Sequence, residues 1–350
     1  MKRILLSKEF GLMLSRCRTG LIATVTLATV ASAGFAQSHP VRTQGTGAAD
    51  YNDMWDLNSG PGLRGPATIV VLDAGNHRVD LFDNNGNDLG HFDHDFDLPS
   101  GIALDASNNL YVKDGNYHCE AEKFDRNTRF LFQFGTCATN GLGLGVFDNV
   151  GSMAVDAEGN VWVTSPDFYY MQKVDSSGDF LSIVCMANVG VTGCNPATSS
   201  SVQPYGIALD SAGNIYVTNV DPFTGYRVVK FNSSGVYLAT FGNTGSGDGQ
   251  FNYPQNLAID ASDNIYVADS NNNRIEKFDT NGTYLSQFGS YGSGDGQFIG
   301  PVGLAFDARG NIYVSDLDNN RIQEFDRDGN YLRQFGNGLL AAPIGVVVRR

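Results

Sequence analysis

The chain is predicted to be all-β: a six-bladed β-propeller of four-stranded antiparallel blades, closed by a C-terminal strand that completes blade one. Three observations predict this. One strand phrase recurs six times, each copy sits among short strand-like runs, and the strand missing from the first unit reappears at the chain's end. The phrase reads Ile69-Val70-Val71-Leu72-Asp73, Leu110-Tyr111-Val112-Lys113-Asp114 and Val161-Trp162-Val163-Thr164-Ser165. It returns as Ile215-Tyr216-Val217-Thr218-Asn219, Ile265-Tyr266-Val267-Ala268-Asp269 and Ile312-Tyr313-Val314-Ser315-Asp316. Counted from the last residue of each copy, the spacings are 41, 51, 54, 50 and 47. Repeats of this length built from several short strands mark a propeller.

Each full unit holds four strand-like runs. In the fifth they are 257–260, 265–267, 275–278 and 284–288, all short and rich in β-branched or aromatic residues. The turns between them share a chemistry. Asp156-Ala157-Glu158-Gly159-Asn160 and its relatives at 210–214 and 307–311 link the first strand to the second. Asp83-Asn84-Asn85-Gly86, with 279–282 and 326–329, links the third to the fourth. Asp opens such a turn with a side-chain hydrogen bond, and Gly or Asn tolerates positive φ. Unit one has no opening strand, because 60–68 is rich in Gly and Pro. Pro343-Ile344-Gly345-Val346-Val347-Val348 instead matches Pro99-Ser100-Gly101-Ile102-Ala103-Leu104. Closing the ring this way removes the exposed sheet edges of an open array.

The domain reading is a signal peptide over 1–36, a flexible lead-in over 37–66 and the propeller over 67–350. Lys2, Arg3, Lys8, Arg16 and Arg18 precede an apolar run from Leu21 to Ala33, and Ala31-Ser32-Ala33 or Gly34-Phe35-Ala36 would be cleaved. The run is short for a membrane span, which needs about 20 residues. The expected location is therefore periplasmic or secreted, and the protein is not expected to span a membrane. The signal has five basic residues and one acidic residue, so its loss takes the formal net charge from −14 to −18. Nucleic acid is not an expected partner, since phosphate binding needs clustered Lys and Arg. A monomer is the expected state.

The phrases Pro-x-Gly-Ile-Ala-x-Asp, Gly-Asn-Ile-Tyr-Val-x-Asp and Asn-x-Arg-Ile resemble the NHL repeat family. So do Gly245-Ser246-Gly247-Asp248-Gly249-Gln250-Phe251 and its twin Gly292-Ser293-Gly294-Asp295-Gly296-Gln297-Phe298. The resemblance runs from about residue 66 onward and implies a six-bladed propeller of an exported bacterial type. It leaves function open, because the fold hosts lyases, hydrolases, RNA binders and sensors. NHL-like amidating lyases carry zinc-binding histidines after the Pro of the Pro-x-Gly phrase. Those places hold Ser100, Gly151, Tyr205, Gln255, Val302 and Ile344 here, none of them His.

Four cysteines remain after the signal, an even number that suggests disulfides in an exported protein. The repeat alignment puts Cys119 at the start of the third strand of unit two and Cys137 at the end of its fourth. The expected pairs are Cys119–Cys137 and Cys185–Cys194. Units one, five and six pair the anchor Asp with an Arg: Asp73 with Arg78, Asp269 with Arg274, Asp316 with Arg321. These read as ion pairs between strands. Units two to four depart, with Asp114 and Glu120, Ser165 and Tyr170, Asn219 and Arg227. Their loops are longer and carry Tyr117, His118, Phe168, Tyr169, Phe223 and Tyr226. Together with Tyr205 near the axis, these residues, Ser165 and Asn219 apart, form the candidate binding set, for a protein, peptide or glycan ligand. No cofactor is expected; calcium on Asp114 and Glu120 is the alternative. The 91–97 stretch His-Phe-Asp-His-Asp-Phe-Asp reads as an acidic connection more than as a metal site. The leading function is thus a non-enzymatic binding scaffold, and the alternative is a metal-dependent lyase or hydrolase with its site at the axis.

Overall fold

The computed structural model describes residues 68–115, 119–137 (backbone only at 137), 145–147, 151–186, 202–221, 223 and 225–349. The expected signal peptide and lead-in lie outside these residues, as do Tyr117, His118 and Cys194. Six four-stranded antiparallel sheets follow one another. In blade five the strands are Pro254–Ile259, Ile265–Asp269, Arg274–Phe278 and Tyr284–Phe288. The inner strand therefore begins three residues earlier than its apolar run suggests, at the Pro.

The second strand of every blade is buried along its whole length. A neighbouring blade covers each of its faces, so both sets of alternating side chains are apolar or satisfied internally. The fourth strand faces outward and alternates, leaving Leu131, Leu181, Leu238, Leu285 and Leu332 exposed. Six apolar clusters lie between consecutive blades, and one joins Ile69, Val71 and Phe82 of blade one to Tyr313, Ile322 and Phe335 of blade six.

The ring closes as the repeat pattern predicts. The Pro343–Val348 strand pairs antiparallel with Ile69–Asp73, with Val346 opposite Val71 and Val348 opposite Ile69. Asp83 opens its turn by accepting the amides of Asn85 and Asn87, both at 2.8 Å. Asp279 does the same for Asn281 and Thr283. Strand alternation puts the turns between strands one and two, and three and four, on the lower face. The loops between strands two and three, and the crossings between blades, share the upper face.

Blade two corrects one detail. Its third strand starts at Glu120 and its fourth ends at Phe134, so neither cysteine lies in the hairpin. Cys137 belongs to a two-residue strand, Thr136–Cys137, that runs parallel to Val146–Phe147.

Candidate functional site

The anchor carboxylates build the upper face before any ligand does. Asp114 accepts the amides of Asp97 at 3.0 Å, Leu98 at 2.9 Å and Gly115 at 3.0 Å. Asp73 accepts Ala341 N–H, Asp269 accepts Asn252 N–H and Asp316 accepts Ile299 N–H, at 2.7–2.8 Å. Asn219 takes Gln203 N–H in the same way. The acid that ends strand two thus ties down the segment leading into strand one of its own blade. Asp114 keeps this scaffold role although its partner Arg is replaced. Glu120, directly across from Asp114, accepts a hydrogen bond from Gln133 at 2.8 Å.

The Asp–Arg pairs do more than join strands, and they are not surface pairs. Arg274 Nε lies 2.8 Å from Asp269, while its other nitrogens donate to the carbonyls of Ser246, Gly247 and Gln250 at 2.7–3.0 Å. Arg321 repeats this on Asp316, Ser293, Gly294 and Gln297. Both guanidiniums are buried and hold the Gly-Ser-Gly-Asp-Gly-Gln loop of the preceding crossing. In blade one Arg78 leans toward Asp80 at 2.9 Å and lies 3.7 Å from Asp73.

Blade three does the same work without charge. Tyr170 stands at the Arg place, fully buried, and its hydroxyl donates to the Val146 carbonyl at 2.8 Å. Gln172 donates to the same carbonyl and accepts from Gly145 N–H. Phe168 stacks on the Tyr170 ring at 5.7 Å, and Tyr169 packs against the Trp162–Met171 cluster. Tyr170 is therefore a packing residue and presents no surface to a ligand.

Blades four and five bring aromatic groups together. Phe223 is 76% exposed at the tip of its loop. Tyr226 donates its amide to Thr244 Oγ1 at 3.0 Å, and its ring meets Tyr253 edge-on at 6.2 Å. Arg227 starts strand three opposite Asn219. Tyr205 sits on the inner strand at the axial place. Tyr253 is not among the candidate residues drawn from the sequence, yet its hydroxyl is buried and has no hydrogen-bond partner among the described residues. Burial, then the nearby Tyr205 and Tyr226, push that hydroxyl above its ordinary range. Its backbone is left-handed, φ 61°, as in Gly300 and Ala342 at the matching places before the inner-strand Pro. A large side chain in that conformation is an outlier. Comparing the residues before each Pro would have singled it out.

At the axial places, Ser100, Tyr205, Gln255 and Ile344 are half-buried, whereas Gly151 and Val302 are buried. Among the described residues no group of three His, Cys, Asp or Glu could hold a metal ion. His94, from the acidic stretch, contacts Glu122 at 3.0 Å and stacks on Phe130. Cys119 and Cys185 are disulfide-bonded, but the side chains of the expected partners Cys137 and Cys194 lie outside the described residues. No helix among the described residues is long and apolar enough to cross a membrane.

Two segments, 251–278 and 298–325, match the NHL repeat model, and 190–218 matches a β-propeller repeat model. The chain is 31% identical to human NHL repeat-containing protein 3 over 121 residues, covering 33% of this chain and 34% of that one. It is 26% identical to rat peptidylglycine alpha-amidating monooxygenase over 199 residues, half of this chain and 20% of the enzyme. Drosophila protein brain tumor is 37% identical over 157 residues, 44% of this chain and 13% of that protein. The chain thus spans about a third or less of these relatives' lengths. A Bacteroides caccae protein of unknown function superposes with TM-score 0.59 at 13% identity, covering 82% of this chain and all of that one. A streptogramin B lyase superposes at TM-score 0.50 and 16% identity over 69% of each chain. Identities this low show the fold alone. The chain is a six-bladed β-propeller that carries NHL repeats in blades five and six.

Proposed function

We propose that this propeller is an exported binding scaffold, periplasmic or secreted, whose upper face takes a protein, peptide or glycan ligand. The observation that carries the reading is Tyr253: a bulky residue in left-handed backbone whose ring meets Tyr226 edge-on and whose buried hydroxyl has no hydrogen-bond partner among the described residues. Strain of this kind persists where the surroundings enforce it and collects at binding sites. Phe223, in the same loop as Tyr226, adds an exposed ring. Exposed aromatic anchors carry much of the energy at recognition surfaces, so Phe223 is the ring that meets the ligand and Tyr253 supports it from below. Tyr169 of the blade-three loop is left-handed too, at φ 56°, but it packs into the core, so the exposed Phe223 beside Tyr226 and Tyr253 centres the site on blades four and five.

Peptide and glycan arrays probed with labelled protein test this. Tyr253→Ala and Phe223→Ala should each weaken the wild-type hits at least tenfold, whereas Asn281→Ala, on the lower face, should keep them. Unchanged hits in both aromatic variants, with native melting behaviour, would move the site elsewhere. The second reading is a metal-dependent lyase or hydrolase with its site at the axis, favoured by the partial similarity to an amidating monooxygenase. A stoichiometric transition metal in the purified protein would select it.

A further inference from the structure

Four blades share one arrangement near the lower face. A Lys on strand three pairs in register with an aromatic residue on strand two: Lys123 with Tyr111, Lys173 with Trp162, Lys230 with Tyr216, Lys277 with Tyr266. Each ammonium lies over that ring, 4.8–5.5 Å from its centre. Each also lies 2.7–4.0 Å from the Asp that opens the first turn: Asp105, Asp156, Asp210 or Asp260. The Asn that closes the turn donates to the same carboxylate.

Blade six keeps the ring and the acid but reverses the charge at the Lys place. Glu324 pairs in register with Tyr313. Asn311 turns its amide to Glu324 at 2.8 Å, away from Asp307. Arg333 of strand four contacts the other Glu324 oxygen and donates to the Asn84 carbonyl at 2.7 Å. That guanidinium lies over Phe335 and not over Tyr313. Asp307 keeps only its turn: its Oδ1 accepts the amides of Arg309 and Asn311, both at 2.8 Å. Among the described residues, its carboxylate has neither the Lys nor the Asn side chain that serves its four counterparts. A cavity of about 280 Å³ opens here at the seam of the ring, lined by Asp307, Tyr313 and Glu324, by the two cations Arg309 and Arg333, and by Asn84 of blade one. Tyr313 and Glu324 are both more than nine-tenths buried.

We propose that this cavity binds a primary ammonium group on a short aliphatic arm, seated over the Tyr313 ring between Asp307 and Glu324. Four blades of the same molecule show how this scaffold holds such a group, by a ring face and a turn carboxylate at once. The second carboxylate strengthens the recognition; Arg333, already spent on Glu324 and Asn84, and Arg309 at the cavity wall temper it. The site is on the lower face, so it stands apart from the upper-face reading. The ammonium could come from a free amine or a lysyl side chain.

Titration of the full-length protein with n-butylammonium chloride, followed by calorimetry and by NMR of the backbone amides, tests the proposal. Saturable millimolar binding is expected, with shifts confined to 307–313, 324, 333 and 84–85. Butanol at equal concentration should give none. Glu324→Lys rebuilds the arrangement of the other blades and should weaken binding at least tenfold. Asp307→Asn should weaken it similarly while preserving the turn, because Asn232 opens a turn of this design in blade four. It keeps the test open if the Lys variant fails to fold. N-acetyl-lysine methylamide binding as well as butylammonium points to a protein side chain; binding by butylammonium alone points to a free amine. No saturable shift up to solubility, or binding equal in both variants, overturns the proposal.

Discussion

Glu276 shows how one atom separates related blades. Gln172 and Gln323 hold the same place in blades three and six. Each accepts an amide from the crossing loop and donates its own amide to a carbonyl there. Glu276 accepts Gly249 N–H and its Oε1 lies 3.2 Å from Arg274, but it has no N–H to donate, and among the described residues its buried Oε2 has no partner. Burial pushes its carboxyl up to about 7, against the pull of Arg274. The native state therefore favours the protonated form, and this group lowers stability as pH rises from its ordinary value of 4.5 to about 7. Glu276→Gln should supply the missing donor and raise unfolding free energy by about 1 kcal/mol above pH 7, with the gain fading toward pH 4.5. Urea unfolding at pH 8 and pH 5 measures it; equal gains at both pH values would contradict the assignment. Asp73, raised to about 7 mainly by burial, pulls in the same direction, so the wild type should also gain stability on mild acidification.

The element that matters most on the upper face is the crossing loop and its clasp. Arg321 satisfies carbonyls at three loop residues and one carboxylate with a planar fork, which an ammonium cannot reproduce. Arg321→Ala leaves Asp316 buried without its cation and should cost about 3–5 kcal/mol. Arg321→Lys should recover less than half of that loss in denaturant unfolding. Full rescue by Lys would show that charge alone holds the loop. The expected Cys119–Cys137 disulfide of blade two would follow the same geometry. Thr244 and Cys137 occupy matching two-residue strands beside Phe251 and Phe147, and Tyr226 and Cys119 each precede the third strand. In blade four those places touch, with Tyr226 N 3.0 Å from Thr244 Oγ1. Non-reducing peptide mapping should recover Cys119 linked to Cys137, and Cys185 linked to Cys194; any crossed pair would refute the alignment.

At the scale of the molecule, stability rests on a closed ring of six blade interfaces. Removing 343–350 deletes the innermost strand of blade one and exposes the edge of Ile69–Asp73 together with the cluster shared with blade six. The truncated chain should lose its cooperative transition and aggregate. A monomeric product with native melting would show that the ring closes without that strand.

Much of this architecture was legible in the chain itself. The anchor phrase, the Asp-opened turns and the displaced final strand are local patterns, and local backbone preferences repeated six times leave one way to bury both faces of the second strands. The matching of Asp with Arg was also visible, because it recurs at a constant offset. The candidate site was less legible. The repeat puts Tyr170 at the Arg place and the candidate set offers it to a ligand, but the fold buries it against a carbonyl 24 residues away. Tyr253 is not legible in the sequence, because its meaning depends on a backbone angle and on two tyrosines from other segments. Blade six's exchange of Lys for Glu was likewise plain in the chain, yet only the packing of blade six against blade one turned it into a cavity. The sequence specifies partners through repetition, whereas burial and orientation are properties of the closed ring, since they depend on which neighbouring blade covers each side chain.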